Sequence, residues 1–558
     1  MVRPIDLLRQ GRRDELWQMC CGFIDLSIEQ FMAIQKRLLL EQIELLTNSR
    51  LGQKVMWWAT PSTVDEFRQR VPLTTYADYC PELPERREAV LPAKPARWIK
   101  TSGYSGTYEV KWVPMSERFA AECEKACAAC SLFAASRYRG DIAHIKEHWK
   151  VLCTVGGPEY ASGAIGDLTK QAFNFDFLPS NGDGLTFVEK IKAGFAEALY
   201  EGLDAFGGLP SVLVAVGEQM KEQPKKPDLA FLRAHPKAIL RLAKGLVKSK
   251  LAGRPMLPSD LWNIKVIYGG GTDAAVFTRK VEEMWGRRPL ELYGGTEGGI
   301  YAAQTWDYEG MTFLPNLNFF EFIPEDEHFK WQIDHSYEPK TVLLDEVKPG
   351  QNYEIVITNL HGGALVRFRV GDMIRIISLR NEHSDIDLPQ MVFYGRADDV
   401  IDIAGLGRLT EKIIWEAIQN TSIPYVEWTA SKKVIGDRAF LRVYIEPRHK
   451  DGLREAIMAT AISRELGRLE SKYHHNPYNI YDGEDCPAEL QHPVDSNLVE
   501  VALLPQGAFA SYIAQREAEG ADLGHLKPSH VNPSEKALAS LGAQPLPAVS
   551  TSEVAAIR

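Results

Sequence analysis

The sequence predicts an α/β protein, with a large layered α/β domain over residues 1–395 and a smaller α+β domain over residues 396–532. Three observations predict it. Helical stretches alternate with short apolar, β-branched runs through the first ~390 residues, the mark of a sheet covered by helices. Gly- and Pro-rich joints punctuate those runs. After Gly395 the alternation gives way to a compact group of helices and strands.

In order, residues 14–47 and 186–206 carry the periodicity of amphipathic helices. Short strands are expected at Ile264–Tyr268, Leu290–Tyr293, Phe319–Ile323, Glu354–Thr358, Leu365–Val370 and Met373–Ile377. In the second domain a helix at 410–420 precedes strands near 425–432 and 439–446. A helix at 451–472, a polar loop at 474–497, a strand at 499–504 and a helix at 507–519 follow. From Pro533 the composition turns to Ala, Ser and Pro, which predicts a loose tail over 533–558.

The 558 residues are 45% hydrophobic and 25% charged, the profile of a soluble globular chain. The net charge of −10 gives no global field for nucleic acid, so an anionic ligand must be held by local groups. The N-terminus lacks the apolar core of a signal peptide, and no run of eighteen apolar residues predicts a membrane span. Eight cysteines without an extracellular framework's spacing point to a reduced, cytoplasmic protein. Cys123, Cys127 and Cys130 match an iron–sulfur spacing, but they lie in a run of strong helix formers. At i, i+4 and i+7 they fall on one helix stripe, where cysteine is a small core residue.

Residues 221–254 hold ten Lys/Arg against two acids. A basic amphipathic helix of this kind can lie on a membrane or hold a polyanion; the simpler reading is a solvated helix face.

Six short elements carry the chemistry. Thr101-Ser102-Gly103-Tyr104-Ser105-Gly106-Thr107, followed by Lys111 and Pro114, offers backbone N–H groups and hydroxyls to phosphate oxygens. It is not the phosphate loop of the common nucleotide triphosphatases. Tyr268-Gly269-Gly270-Gly271-Thr272 follows a strand, and its glycines admit a flat ring close to the backbone. Tyr293-Gly294-Gly295-Thr296-Glu297 sets an aromatic face, a hydroxyl and a carboxylate at a strand end. Magnesium takes one or two carboxylates and fills its shell with water and phosphate, so Glu297 beside Thr296 suits it. Arg367-Phe368-Arg369-Val370-Gly371-Asp372 presents an Asp fit to accept from ribose hydroxyls, or else is a charged cross-strand ladder ending in a turn. Gly395-Arg396-Ala397-Asp398-Asp399, then Thr410-Glu411, falls where the architecture changes. Lys527 stands in Gly520-Ala521-Asp522-Leu523-Gly524-His525-Leu526-Lys527-Pro528.

In this order the elements resemble the acyl-adenylate-forming superfamily, and within it the Gretchen Hagen family of acyl acid amido synthetases, the auxin-conjugating type. The resemblance covers almost the whole chain. Gly295 stands where that family has a serine, Phe368 where it has a tyrosine, and the Pro-Arg pair after the lysine is missing beyond Lys527. The resemblance implies ATP and Mg²⁺ as cofactors, a carboxylic acid substrate, and an acceptor that is an amine, an amino acid rather than the thiol of CoA. It assigns Ser102, Gly103, Tyr104 and Ser105 to phosphate, and Gly269, Gly270, Gly271, Tyr293 and Gly294 to the adenine pocket. It assigns Asp372 with Arg396 to ribose, Thr296 and Glu297 to the α-phosphate and the metal, and Lys527 to the carboxylate and α-phosphate. An acyl-CoA ligase, a nucleotide- or acyl-binding relative without activity, and a peripheral membrane protein stand as alternatives.

Overall fold

A computed structural model describes residues 2–101, 110–153, 156–182, 185, 187–208, 210–222, 229–269, 274–397, 401–403, 407–421, 423–435, 438–449, 454–473, 498–518 and 527–543. The chain divides into two compact units, Met1–Tyr394 and Gly395–Arg558.

In the first unit the strands are β1 (Pro95–Lys100), β2 (Trp112–Ser116), β3 (Lys150–Cys153), β4 (Asp176–Leu178), β5 (Ala205–Gly208), β6 (Val266–Gly269), β7 (Leu290–Gly295), β8 (Gly299–Ala303), β9 (Met311–Phe313), β10 (Asn318–Pro324), β11 (Asn352–Asn359), β12 (Phe368–Ser378) and β13 (Gln390–Arg396). Strands β1 and β2 form a separate hairpin. The rest make one eleven-stranded sheet in the order β10-β11-β12-β13-β9-β8-β7-β6-β5-β3-β4. From β4 to β7 the neighbours run parallel, linked by helices. From β7 through β8 and β9 they run antiparallel, linked by short turns. Strand β7 is therefore where a crossover topology meets a hairpin topology, the kind of switch that leaves a crevice at the strand ends.

The helix Ile28–Thr47 starts at Ser27, whose hydroxyl accepts from Gln30 N–H while the Gln30 side chain returns to Ser27 N–H. Its buried Gln35 donates to the carbonyl of Asn318 at 2.7 Å, fastening the helix to β10. The helix Glu117–Ala135 lies under the β7–β8 turn: a Cβ on Gly299 would stand 3.0 Å from Cys123 Sγ. Cys123, Cys127 and Cys130 are all buried in this helix, and burial, against a hydrogen bond from Thr169 and with the charge of Glu124, pushes the Cys127 thiol up to about 12. They pack as small apolar residues.

Four expectations change. The helix expected over 14–47 is two, Arg13–Cys21 and Ile28–Thr47, parted by a tight turn at Gly22–Asp25. The runs at 365–370 and 373–377 share a single strand, β12, which begins only at Phe368 and has a bulge between the two runs. The tail expected from Pro533 folds into the helix Glu535–Ser540, because Ala537, Leu538 and Leu541 find an apolar cluster with Tyr444, Leu504 and Phe509. Residues 544–558 and the polar loop lie outside the described residues. The basic stretch does form a helix, Pro236–Leu251, but the face it turns to solvent holds large apolar side chains rather than only charged ones.

The second unit pairs β14 (Ile401–Ile403) with β15 (Gly407–Leu409). Its main sheet takes the order β16 (Tyr425–Ile435), β17 (Arg438–Pro447), β18 (Val499–Leu503), with β16 and β17 antiparallel and β18 parallel to β17. Residues 530–532 lie along the free side of β16, through a bridge between Ala430 and Val531. Among the described residues no helix is long and apolar enough to cross a membrane.

Candidate active site

The residues of the first unit meet where β7, β8 and β12 converge, and two irregularities in the sheet bring them there. Across β7 and β8, Tyr293 faces Ala302 while Gly294 faces Ile300, so Tyr301 is an extra residue on β8. Gly294 has to be glycine: a Cβ would stand 2.3 Å from the carbonyl oxygen of Gly299. Across β11 and β12, Glu354 faces Met373 while Val356 faces Arg369, which puts two extra residues on β12. Gly371, at φ +79°, makes this bulge, and Asp372 leaves the ladder with it.

Released from the ladder, Asp372 accepts a hydrogen bond from the Tyr293 hydroxyl at 2.9 Å. The Tyr293 ring lies edge-on to Tyr301 at 5.1 Å and against Phe393 at 5.7 Å, which leaves it buried. In the next turn Thr296 and Glu297 connect β7 to β8. Glu297 lies 3.8 Å from the Lys111 ammonium, with 12% and 14% of the two side chains exposed. The turn is held from behind. Asn359 donates to the Glu297 carbonyl at 2.9 Å and Asn318 to the Gly298 carbonyl at 2.8 Å, both from buried positions. These bonds tie β10 and β11 to the turn and hold its backbone at Glu297 and Gly298.

Tyr301 is the feature sequence reading missed. Its hydroxyl is buried without a hydrogen-bond partner among the described residues. Burial, with the charges of Glu297 and Asp372, pushes the phenol well above its ordinary value, so it stays a neutral donor. A Cβ on Gly295 would stand 3.1 Å from this hydroxyl and 3.2 Å from a Glu297 oxygen. The phenol thus reaches the space beside Glu297 where a side chain at position 295 would begin. The only signal for it in sequence was its place in the Gly-rich run after Glu297.

Both arginines of the Arg-Phe-Arg element are structural. Arg367 forks onto Glu321 of β10 at 3.0 and 2.9 Å, and Arg369 onto Glu354 of β11 at 2.9 and 2.7 Å. The cross-strand ladder and the released Asp are thus both present, the ladder ending at the bulge that delivers the half-buried Asp372. Lys111 closes the base of the β1–β2 connection. Thr101 N–H donates to the Lys111 carbonyl at 2.9 Å, and Lys111 N–H donates to the Thr101 hydroxyl at 3.0 Å. Ser102, Gly103, Tyr104 and Ser105 lie outside the described residues, as do Gly270 and Gly271. Gly269 ends β6.

Strand β13 runs out of the first unit after Tyr394, so Arg396 at its end belongs, with Lys527, to the second unit. The Lys527 ammonium donates to Glu427 on β16. The other Glu427 oxygen is 3.0 Å from His530 Nε2, and His530 Nδ1 meets Glu411, the first residue of a helix capped by Thr410. The His530 ring stacks on Trp428 at 4.6 Å, with Trp415 edge-on at 5.1 Å. Two carboxylates outweigh the burial, so His530 is raised to about 10 and carries a charge at neutral pH. His530, with Lys527, holds Glu427 down to about 2. Two stretches about a hundred residues apart, one with Glu411 and Glu427 and the other with Lys527 and His530, therefore form a charged chain whose outer member is Lys527.

Among known proteins, two family models match this chain. The GH3 family N-terminal domain matches residues 20–181, and the GH3 family central domain matches residues 311–396. The jasmonoyl–L-amino acid synthetase JAR4 of Nicotiana attenuata is 28% identical over 253 residues, 43% of this chain and 39% of that relative. The jasmonoyl–L-amino acid synthetase GH3.5 of Oryza sativa subsp. japonica is 31% identical over 226 residues, 38% of this chain and 35% of that relative. The chain thus spans about two fifths of the length of the curated relatives it matches. In structure, AtGH3.15 acyl acid amido synthetase in complex with 2,4-DB aligns with a TM-score of 0.64 at 17% identity, over 97% of each chain. A 2-hydroxyisobutyryl-CoA ligase in the postadenylation state aligns at 0.57 and 14% identity, over 93% of this chain and 92% of that one. At these identities the two structures share the fold.

Proposed function

The chain belongs to the GH3 family, and from that premise we infer that it uses ATP to activate a carboxylic acid as an acyl-adenylate and then passes the acyl group to an amine, an amino acid in the first instance. The observation that carries the reading is the convergence of Thr296-Glu297, Lys111 and the Tyr293–Asp372 pair at the switch strand β7.

The carboxylate of the acid attacks the α-phosphorus of ATP, and pyrophosphate leaves. Both reactants are anions, so catalysis rests on neutralising charge and aligning the two groups. Asp372 accepts from the ribose hydroxyls, and its bond from Tyr293 fixes which oxygen is presented. Thr296 offers its hydroxyl to the α-phosphate, and Lys111 adds a positive charge beside it. Glu297 is a hard carboxylate with a hydroxyl next to it, which fits Mg²⁺ drawing its remaining oxygens from water and phosphate; the ion would screen the phosphate charge. Lys527 serves the carboxylate and the α-phosphate oxygens. To do so its ammonium exchanges one carboxylate partner, Glu427, for the substrate's own anions, so little charge is left uncompensated.

The test is pyrophosphate release across a panel of carboxylic acids. Enzyme loaded with acyl-adenylate is then offered twenty amino acids or CoA, and the products are identified by mass spectrometry. AMP, pyrophosphate and an N-acyl amide are expected. Release of ADP and phosphate would replace the reading with an acyl-phosphate mechanism, and an acyl-CoA forming at least as fast as any amide would replace it with a ligase.

A further inference from the structure

We propose that the helix Pro236–Leu251 docks this chain on an anionic lipid surface. The proposal is independent of the adenylation chemistry.

The helix is packed inside out. Its inner face is made of small residues, Ala238, Gly245 and Ser249, all buried. The Gly245 position is so close to the core that a Cβ would stand 2.6 Å from Leu261 Cδ2. Arg241 nails the same side down, donating to the Ala198 carbonyl at 2.9 Å and also to that of Leu199. The large apolar residues point away. Ile239, Leu240, Leu246, Val247 and Leu251 are all exposed, Leu240 by 72% and Leu251 by 85%. Leu240, Val247 and Leu251 recur at i, i+7 and i+11, one stripe about 16 Å long that runs from the second turn to the end of the helix. Hydrophobic burial orders such a helix the other way round unless something outside covers the stripe.

Charge identifies the cover. Between Leu229 and Ser259 the sequence has no Asp or Glu. Lys237, Lys244, Lys248 and Lys250 border the stripe, and among the described residues none of them makes an ion pair, Lys248 only feeling the charge of Asp260 from a distance. Asp260 is instead bound to Arg254 at 2.7 Å. A second copy is a poor occupant, because a symmetric contact would oppose like charges. At these exposures the stripe is a crest, not the wall of a groove, so a rigid partner meets it along a line while a bilayer deforms around it. An apolar ridge bordered by lysines matches the interface of a membrane with anionic headgroups, where side chains sink to the acyl boundary and ammonium groups stay at the phosphates. The chain's overall −10 does not oppose this, since charges beyond about 8–10 Å are screened at physiological salt.

The full-length protein is co-sedimented with vesicles of phosphatidylcholine alone or mixed in equal parts with phosphatidylglycerol. Binding to the mixed vesicles only is expected. Leu240→Gln with Val247→Gln and Leu251→Gln should lower the bound fraction at least ~tenfold, while the melting temperature and solution activity hold. Lys237→Gln with Lys244→Gln and Lys248→Gln should lower binding to phosphatidylglycerol vesicles and weaken its salt dependence. Absence of binding overturns the proposal, as does binding that neither variant changes. A dimer in light scattering that the leucine–valine variant dissociates would show instead that a second copy covers the face. Free CoA competing the vesicles off at micromolar concentration would reassign the lysines to a soluble phosphate.

Discussion

Replacing His530 with Ala should cost the second unit about 3–5 kcal/mol near pH 6 and remove most of its alkaline pH dependence. The charged imidazole is buried between Glu411 and Glu427, so its loss leaves two carboxylates close together, with Lys527 bound to one of them. The pH dependence gives a second measure. An imidazole raised from an ordinary 6.5 to about 10 stabilises the fold fully below pH 6.5 and loses that contribution as pH climbs through 10. The gap amounts to about 5 kcal/mol at about 1.4 kcal/mol per unit. Glu427, held down to about 2, acts at the other end: its contribution is complete above about 4.5 and lost as pH falls through 2. The two shifts describe one attraction from its two partners and are not added. Urea melts of the full chain, followed by tryptophan fluorescence near pH 6 and near pH 9, check this; Trp428 and Trp415 border the imidazole. The wild type should lose about 3 kcal/mol between those points and the variant much less. An equal slope in both proteins would refute the argument that a charged His530 holds this cluster together.

Three outcomes are expected at the chemical step. Lys527→Ala should slow adenylation ~10²–10³-fold, in keeping with roughly 2.7–4 kcal/mol for a charged contact made in the transition state, and should leave ATP affinity nearly unchanged. Asp372→Asn should do the reverse, raising the ATP dissociation constant by about 10–100-fold, since a hydrogen bond to a charged group is worth about 1.5–3 kcal/mol. Isothermal titration beside single-turnover rates separates these two, and equal effects on ATP binding would remove the distinction. Glu297→Ala should lower the rate and shift its Mg²⁺ dependence upward, with high Mg²⁺ restoring only part; wild-type activity in that variant would end its assignment to the metal.

Elements with a strong local signature were legible from sequence. Strands β7, β10 and β11 and the set from Glu411 to Ala518 fall close to where their periodicity placed them, whereas the single helix read over 14–47 breaks between Cys21 and Ile28. The bulge in β12 was not, because Gly371 reads as a strand end whether or not the ladder resumes beyond it. The helix at 535–540 was hidden by a composition that suggests a loose segment, since its burial depends on Tyr444 and Phe509 arriving from elsewhere. In the site, Thr296, Glu297 and Asp372 stood out as polar residues beside glycines. Their supports did not. Asn318 and Asn359 act from β10 and β11, Tyr301 through a bulge, and Glu427 and His530 about a hundred residues apart in sequence. Such partners carry no local pattern. The face of the helix at 236–251 was also beyond reach, because periodicity shows an apolar stripe without showing which side the core takes.

The bulge in β12 also constrains how this strand can change length. Phe368, Val370, Ile374 and Ile376 share one parity and are buried, and Asp372 has the same parity. In an unbroken strand its carboxylate would be turned into the core with them. Because the bulge holds an even number of extra residues, the apolar side chains after it return to the face they held before it. Loss of one residue here would turn Ile374 and Ile376 outward. Loss of two would keep them in place but draw the acidic position back into the ladder. Insertions and deletions in this stretch can therefore survive only in pairs, and only those that leave Asp372 outside the count keep the site.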